Sequence, residues 1–528
     1  MHKPASQKTA QLIYKLSHSL WLTSILWLVV ACHQPTSKPF QLHNIHVTIP
    51  QYNHLSAILQ FTTTISTVAE VLVQNDTHSV TVPTASTPNR DHTIHILGLR
   101  PQQTYTLTLT ATDETGHSQQ NVFPLQTDLL PDDFPPLQLI SSRPEAMQPG
   151  ITLFNPGRWL PTPDLKWGYL VGVDQTGHVV WYHKESCRIN FFTQTQRGNV
   201  LYLCPPYRAV EINLFGEIIH VWNPTEINPE LRHFHHEFIE MPSGNLLALS
   251  TEMRTIDGYV DDDNQPVSYD LVGDVVVEFT PEGRLVNRWS VFDMIDPHRI
   301  KHGFEATFFY KLIYEEVSDA PRDWTHGNAI FYDETDDTVL VSLRHQDWII
   351  KFSRKTGKLV WRFGEDGDFS LQGDGIWPTQ QHAVKMLADN TLLMFDNGTH
   401  RNGIQDVNQL YSRVVQYRLD VSSSNRQDWS ASQIWEFRDK EPFYSPILSE
   451  ADLMKNGNIL IADGARVSDL DKDVGAHDNS KWARIIEVTG ENAPEVVFEL
   501  TIKDPIPQPD GVGYTVTRVE KLDDLYPH

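Results

Sequence analysis

The chain has 528 residues, 40% of them hydrophobic, and a formal net charge of −25. That length exceeds one ordinary hydrophobic core, so several domains or a repeat architecture are expected. The acidic balance excludes a nucleic-acid-wrapping role, which needs a basic surface against phosphates.

At the N-terminus Lys3, Lys8 and Lys15 form a positive region, and no acidic residue precedes Glu70. Leu20 to Ala31 is apolar but too short to span a bilayer comfortably. It ends Leu28-Val29-Val30-Ala31-Cys32, which resembles a bacterial lipoprotein cleavage box. Residues 1–31 are therefore expected to be a lipoprotein signal peptide, Cys32 the lipidated first residue, and 32–40 a tether. A plain signal peptide with a chance cysteine competes with this reading. His33 rather than an aspartate follows Cys32. The expectation is therefore attachment to the outer membrane, facing the periplasm. No later segment is apolar enough for a transmembrane helix.

Residues 41–128 read as a small β-sandwich resembling the fibronectin type III pattern. Alternation in Ser56 to Phe61 and in Tyr105, Leu107, Leu109 gives strands with one buried face. Pro101 starts a corner that the Tyr105 hydroxyl can cap. Residues 129–149 are rich in proline and acidic residues and read as a linker between domains.

From Gly150 onward the sequence repeats. An aromatic closes a strand at Trp181, Trp222, Trp289, Trp361, Trp435 and Phe498. Polar turns at Gly198, Gly244, Asp336-Asp337, Asp389-Asn390 and Gly457 each precede an apolar strand. A radially repeated four-stranded unit is a β-propeller blade. The expected fold is all-β: a six-bladed β-propeller over 150–528, after the sandwich. The first unit is short of inner strands, and Gly513 to Lys521 could complete it. The stretch between Trp289 and Trp324 reads as an inserted loop or short helices near the channel mouth.

Inner strands of a propeller line its axis, so residues at equivalent register converge. His236, His326 and His382 each stand just ahead of an inner strand, with Ser449 at the fourth such position; His235 competes with His236. Arg344 and His345 end the second strand of the blade that His326 opens. A lone histidine at a strand start is most often a surface or hydrogen-bonding residue, but three in register with an arginine point to a site. Imidazole can be nucleophile, base or metal ligand. A guanidinium suits an anionic substrate and opposes a metal cage, so no metal and no cofactor are expected. Cys187 and Cys204 flank a hairpin turning near Gly198; a disulfide and two buried thiols are equally weighted.

His326-Gly327-Asn328, Ser342 with Arg344-His345-Gln346, Trp361 to Gly364, Gln381-His382 and Phe395-Asp396-Asn397-Gly398 together resemble the bacterial arylsulfate sulfotransferases. The resemblance implies sulfuryl transfer from a phenolic sulfate ester to an acceptor phenol, without a nucleotide donor, through a sulfohistidine. By motif, His382 is implied as the nucleophile, with His236, His326 and Arg344 binding the sulfuryl oxygens. Asn328, His345 and Trp324 are the expected substrate-binding residues, with core or rim packing the competing and stronger reading of Trp324. Phe308, Phe309, Tyr310, Trp377 and Tyr444 are further candidates for an apolar wall, each with core or rim packing as the competing reading. The expected partners are the two phenolic substrates and, through the anchor, a membrane. Oligomeric state is open, a homodimer being one form. Two other readings compete: a lipid-anchored propeller that binds a sulfated or phenolic ligand without turnover, and a hydrolase with a histidine-bound metal.

Overall fold

The computed structural model describes residues 40–526 apart from 51–52, 160–165, 205–207, 262, 305–307, 405, 440–442, 468–480 and 505–512. The expected signal peptide and Cys32 lie outside the described residues. The remainder is nearly all β. Pro224–Ile227 and Phe308–Tyr314 are the two short α-helices among the described residues.

The N-terminal unit is organised by one long strand, Ala57–Gln74, whose alternate residues are buried. Its first half pairs with Leu42–Thr48 and Asn89–Ile96. Its second half pairs with Ser79–Val82 and Thr104–Asp113. The strand thus passes between two sets of neighbours, and its inward residues Leu59, Phe61, Val71 and Val73 join Tyr105, Leu107 and Leu109 in one core. The Tyr105 hydroxyl accepts the Arg100 N–H at 2.9 Å, so the expected corner is present.

Six further sheets follow. The first orders Val179–Glu185, Gly168–Val173, Ile151–Trp159 and Gly513–Leu522, so the C-terminal strand completes it. The second runs from Phe191–Gln194 to Ile218–Trp222 and the third from His235–Glu240 to Leu285–Ser290. The fourth runs from Gly327–Asp333 to Leu359–Phe363, the fifth from His382–Leu387 to Ser430–Phe437, and the sixth from Glu450–Leu453 to Val496–Ile502. From first strand to fourth, neighbours pair antiparallel, and central strands are buried on both faces, as in Val200–Cys204 and Thr338–Leu343.

The closing aromatics explain the period. Trp181 Nε1 donates to the Leu214 carbonyl, Trp222 Nε1 to Pro281, and Trp435 Nε1 to Glu491, at 2.7, 2.7 and 2.9 Å. Each acceptor lies in the outer turn of the next sheet. A buried indole needs a partner for its N–H, so each tryptophan locks its own sheet to the following one.

First strands of successive sheets lie side by side: Phe191–Gln194, His235–Glu240, Gly327–Asp333, His382–Leu387, Glu450–Leu453 and Gly513–Leu522, the last also touching the first. Where they meet, Arg518 pairs with Glu237 at 2.7 Å and Glu450 at 3.2 Å. Lys385 pairs with Glu450 and Asp452. Buried charges persist when each is matched, and this network ties strands of four different sheets together.

Two expectations are corrected or resolved here. The 129–149 stretch is not wholly a linker, because Leu137–Ser142 is a fifth strand on the sixth sheet, paired with Val496–Ile502. Its Leu-Gln-Leu-Ile alternation suits an edge strand once the preceding prolines have ended. Cys187 and Cys204 are joined in a disulfide with Cα atoms 5.7 Å apart. The strand pairing alone would not bring them opposite: Phe191 faces Leu203. The chain before Phe191 carries Cys187 back onto the hairpin. The insertion after Trp289 holds a 3-10 turn at Val291–Asp293 and the helix Phe308–Tyr314, as the sequence suggested.

Candidate active site

His382 begins the first strand of the fifth sheet, opposite Phe395. The pairing shifts register between His382 and Lys385, and Ala383 has φ 55°. Such a bulge re-aims the side chain at a strand end. His382 Nδ1 lies 2.7 Å from Asn397 Oδ1. Asn397 Nδ2 donates to the carbonyls of Ser445 and Leu448 at 2.7 and 3.1 Å. The amide nitrogen is thereby committed, and its oxygen faces the imidazole. An amide oxygen only accepts, so Nδ1 carries the proton and Nε2 keeps its lone pair. Burial and then the Arg344 charge push the His382 pKa down to about 3. The ring is neutral at any ordinary pH.

His326 precedes the first strand of the fourth sheet at φ 49°. Its Nδ1 is 2.6 Å from Asp323 Oδ2. The His345 ring lies tilted, 4.7 Å from that of His326, and donates from Nδ1 to the Asp323 carbonyl at 3.1 Å. Its Nε2 then accepts the Arg344 guanidinium N–H at 2.8 Å. His345 is thus a buried bracket that aims Arg344. Asn328 Nδ2 donates to the Gln381 carbonyl at 2.8 Å, which ties the fourth sheet to the residue before His382. Its Oδ1 is buried without a hydrogen-bond partner among the described residues.

His235 and His236 both belong to the cluster. Between His235 and Phe238 the strand pairing slips, and His236 takes φ 52°. That turns the two rings perpendicular with Nδ1 atoms 2.9 Å apart. His236 lies 5.0 Å from His326, ring to ring. Burial, then the charges of His326, His235, His382 and Arg344, hold its pKa well below the usual imidazole value. Behind it, His235 Nε2 faces the Ser250 carbonyl at 3.1 Å and Asp274 Oδ1 at 3.3 Å. Asp274 Oδ2 also accepts the Gly327 N–H at 2.6 Å. A Cβ at Gly327 would sit 2.7 Å from the Asp274 carboxyl carbon, so this position has no room for a side chain.

The three histidines in register and Arg344 are therefore brought together, with Asn328 and His345 against them. Trp324 is not. Its ring is buried and stacked on Phe292 at 4.7 Å, with Nε1 donating to the Arg299 carbonyl. The strand Arg322–Asp323 pairs with Pro266–Phe279, and side chains alternate along it. Asp323 turns to the histidines, and Trp324 turns into the core behind them. Trp377 packs edge-on to Phe363, and Tyr444 bonds Thr399 through its hydroxyl. Tyr310 lies 6.3 Å from His326 and from His235, ring to ring. The side chains of Phe308 and Phe309 lie outside the described residues. Ser449 does not join the histidines; its hydroxyl accepts the Gly464 N–H and contacts the Ser445 hydroxyl.

Asp323, His326 and His345 offer donor atoms within 4.8 Å of one another. Both histidine Nδ1 atoms already face oxygens of Asp323, and His345 Nε2 is taken by Arg344. A permanent guanidinium beside the set works against a metal cation.

The arylsulfotransferase (ASST) family model matches residues 137–514. The chain belongs to the arylsulfotransferase family. The model of that family's Ig-like domain matches residues 50–128. An arylsulfate sulfotransferase AssT of Escherichia coli O6:H1 (strain CFT073) is 26% identical over 280 residues, 44% of this chain and 45% of that protein. One from Lelliottia amnigena is 24% identical over 273 residues, 43% of this chain and 44% of that protein. The chain thus spans less than half the length of these curated relatives in alignment. A solved putative 6-phosphogluconolactonase of Bacteroides uniformis aligns at TM-score 0.34 with 10% identity, covering 67% of this chain and 83% of that one, a likeness too slight to bear on the fold.

Sequence reasoning missed Asn397, Asp323, Asp274 and the part played by His235. Asn397 stood in a recognised motif without a role. Asp323 sits three residues before His326, a spacing that could have raised it. Nothing local marks Asp274, which reaches the site only because the third sheet lies against the fourth.

Proposed function

We propose that this protein is an aryl sulfotransferase that moves a sulfuryl group from a phenolic sulfate ester to an acceptor phenol through a sulfohistidine at His382. The observation that carries the reading is the buried His382, its Nδ1 held 2.7 Å from Asn397 Oδ1 and its pKa pushed down by burial and then by the nearby Arg344 charge. Nε2 attacks sulfur in line with the departing phenolate. The S–O bond to the aryl group breaks, and its electron pair leaves on the phenolate oxygen. Arg344, with His326 and His236, meets the charge that develops on the oxygens of the ester in a site built before the substrate arrives. Asn397 continues to accept the Nδ1–H of the sulfated ring. A phenol then takes the group from Nε2 and restores the lone pair, which makes the cycle ping-pong.

The six sheets are read as six blades of one propeller over 150–528, and the N-terminal sheet as a separate β-sandwich over 41–128. Side-by-side first strands and tryptophans that reach the next sheet support this. Lipid anchoring at Cys32 and a periplasmic location are part of the same proposal, resting on the N-terminal sequence.

The test is intact mass after mixing with 4-nitrophenyl sulfate and quenching. A sulfuryl adduct on the wild type, mapped to His382 and missing from His382→Ala, is expected. Full transfer to phenol by His382→Ala would sink the histidine mechanism, and binding of the ester with no product would favour a ligand-binding role.

A further inference from the structure

Sulfuryl transfer between phenols raises a proton problem that His382 does not solve. The leaving phenolate must gain a proton in the first half-reaction, and the acceptor phenol must lose one in the second. The same proton can serve both, provided the protein stores it between the two. His382 is not the store, because its Nδ1–H is committed to Asn397 and its Nε2 carries the sulfuryl group.

The pair His235 and His236 has the geometry of a store. The Ser250 carbonyl can only accept, so His235 Nε2 carries a proton throughout. The two Nδ1 atoms are 2.9 Å apart, so one proton lies between them, on either ring. The buried Asp274 carboxylate stands 3.3 Å from His235 Nε2 and offers a counter-charge to an imidazolium at His235. His236 is the member that meets His326 across the site. Adjacent residues on a regular strand point to opposite faces. The positive φ of His236 and the register slip around it are what bring these two rings together.

We propose that His235, backed by Asp274, is the proton store of the transfer cycle, exchanging a proton with His236 through their facing Nδ1 atoms. Before reaction, His235 holds both protons and His236 presents Nε2–H to the substrate. As the S–O bond breaks, His236 Nε2–H passes to the phenolate oxygen. The His235 Nδ1–H moves to His236 Nδ1, leaving both rings neutral and His236 Nε2 with a lone pair. In the second half-reaction the acceptor O–H gives its proton to that lone pair while its oxygen attacks sulfur. The His236 Nδ1–H returns to His235, and no proton is gained or lost over the cycle. His236 is the catalytic acid and base; His235 acts through it and positions it. This rests on the sulfuryl-transfer reading above.

The test uses the leaving group. A 4-nitrophenolate departs without help, whereas an unsubstituted phenolate needs the proton. In His235→Asn the amide oxygen can accept the His236 Nδ1–H but has no proton to give. Rates of sulfuryl-adduct formation are measured with 4-nitrophenyl sulfate and with phenyl sulfate. The variant is expected to lose about 100-fold more rate with phenyl sulfate than with 4-nitrophenyl sulfate, the low end of general-acid contributions. A merely structural role would lower both rates equally, and an unchanged ratio between the donors overturns the store. If His235→Asn does not fold, His235→Gln, whose amide can still reach the Ser250 carbonyl, reads the same ratio. A wild type that forms no adduct with either donor overturns the sulfuryl-transfer reading itself, and the store with it.

Discussion

The two sides of the site hold the same side chain by opposite means. On the fifth sheet, His382 is backed by an uncharged amide, Asn397. On the third and fourth sheets, His235 and His326 are backed by the buried carboxylates Asp274 and Asp323. An amide fixes a tautomer without favouring a charge. A carboxylate favours the protonated ring. One imidazole thereby stands against a neutral acceptor, while its counterparts each stand against a buried carboxylate. The partner behind the ring, more than the ring itself, decides what a histidine does here.

The largest expected effect comes from removing Arg344, a fixed cation between the two sides. Arg344→Ala should cost about two to three orders of magnitude in sulfuryl transfer, the usual loss on removing one donor to a developing oxyanion. Rates with 4-nitrophenyl sulfate check it, and a loss below tenfold would mean that the histidines suffice. Next, exchanging the partners should exchange the behaviour. Asp323→Asn removes one charge-assisted hydrogen bond and should lower transfer about 10- to 100-fold. Asn397→Asp places a carboxylate behind His382 and raises its pKa from about 3. The acid limb of adduct formation should then move upward into the weakly acidic range, at a cost in stability because Asp cannot donate to the Ser445 and Leu448 carbonyls. A pH profile that does not move in Asn397→Asp would break the contrast drawn between the two sides.

The smallest effect is on stability. Burial depresses the pKa of His382 and of His233 in the folded chain. Above about pH 6.5 an unfolded histidine is also neutral, and neither group contributes. As pH falls below that, the unfolded chain takes up protons that the folded chain refuses, so folding weakens. Each such histidine adds about 1.4 kcal/mol of lost stability per pH unit on that limb. Denaturant midpoints between pH 7 and 5 should fall, and less steeply in His382→Gln than in the wild type.

Much of this was legible in the chain itself. Alternation and turn residues mark the strands because side chains on a strand switch faces at every residue. The recurring tryptophans mark the period, and Trp181, Trp222 and Trp435 satisfy their indole N–H in the next sheet. Register from those turns selected His236, His326 and His382, and the motifs selected Arg344. Trp324 stayed open between ligand wall and core because an aromatic beside a site residue has the same local pattern whether it faces the ligand or the core. The edge pairing of Arg322–Asp323 decides that, and its partner strand is Pro266–Phe279, some fifty residues away.

By itself, then, the sequence determined the β class, the spacing of the sheets and which histidines could meet, since all three follow from short-range periodicity. The tertiary structure alone decided what stands behind each histidine. Asn397 reaches His382 across a strand pair, Asp274 reaches His235 and Gly327 from the third sheet, and Cys187 reaches Cys204 around a hairpin. Tautomer and charge depend on those contacts at hydrogen-bond distance, and no local pattern encodes an approach between segments that only packing brings together.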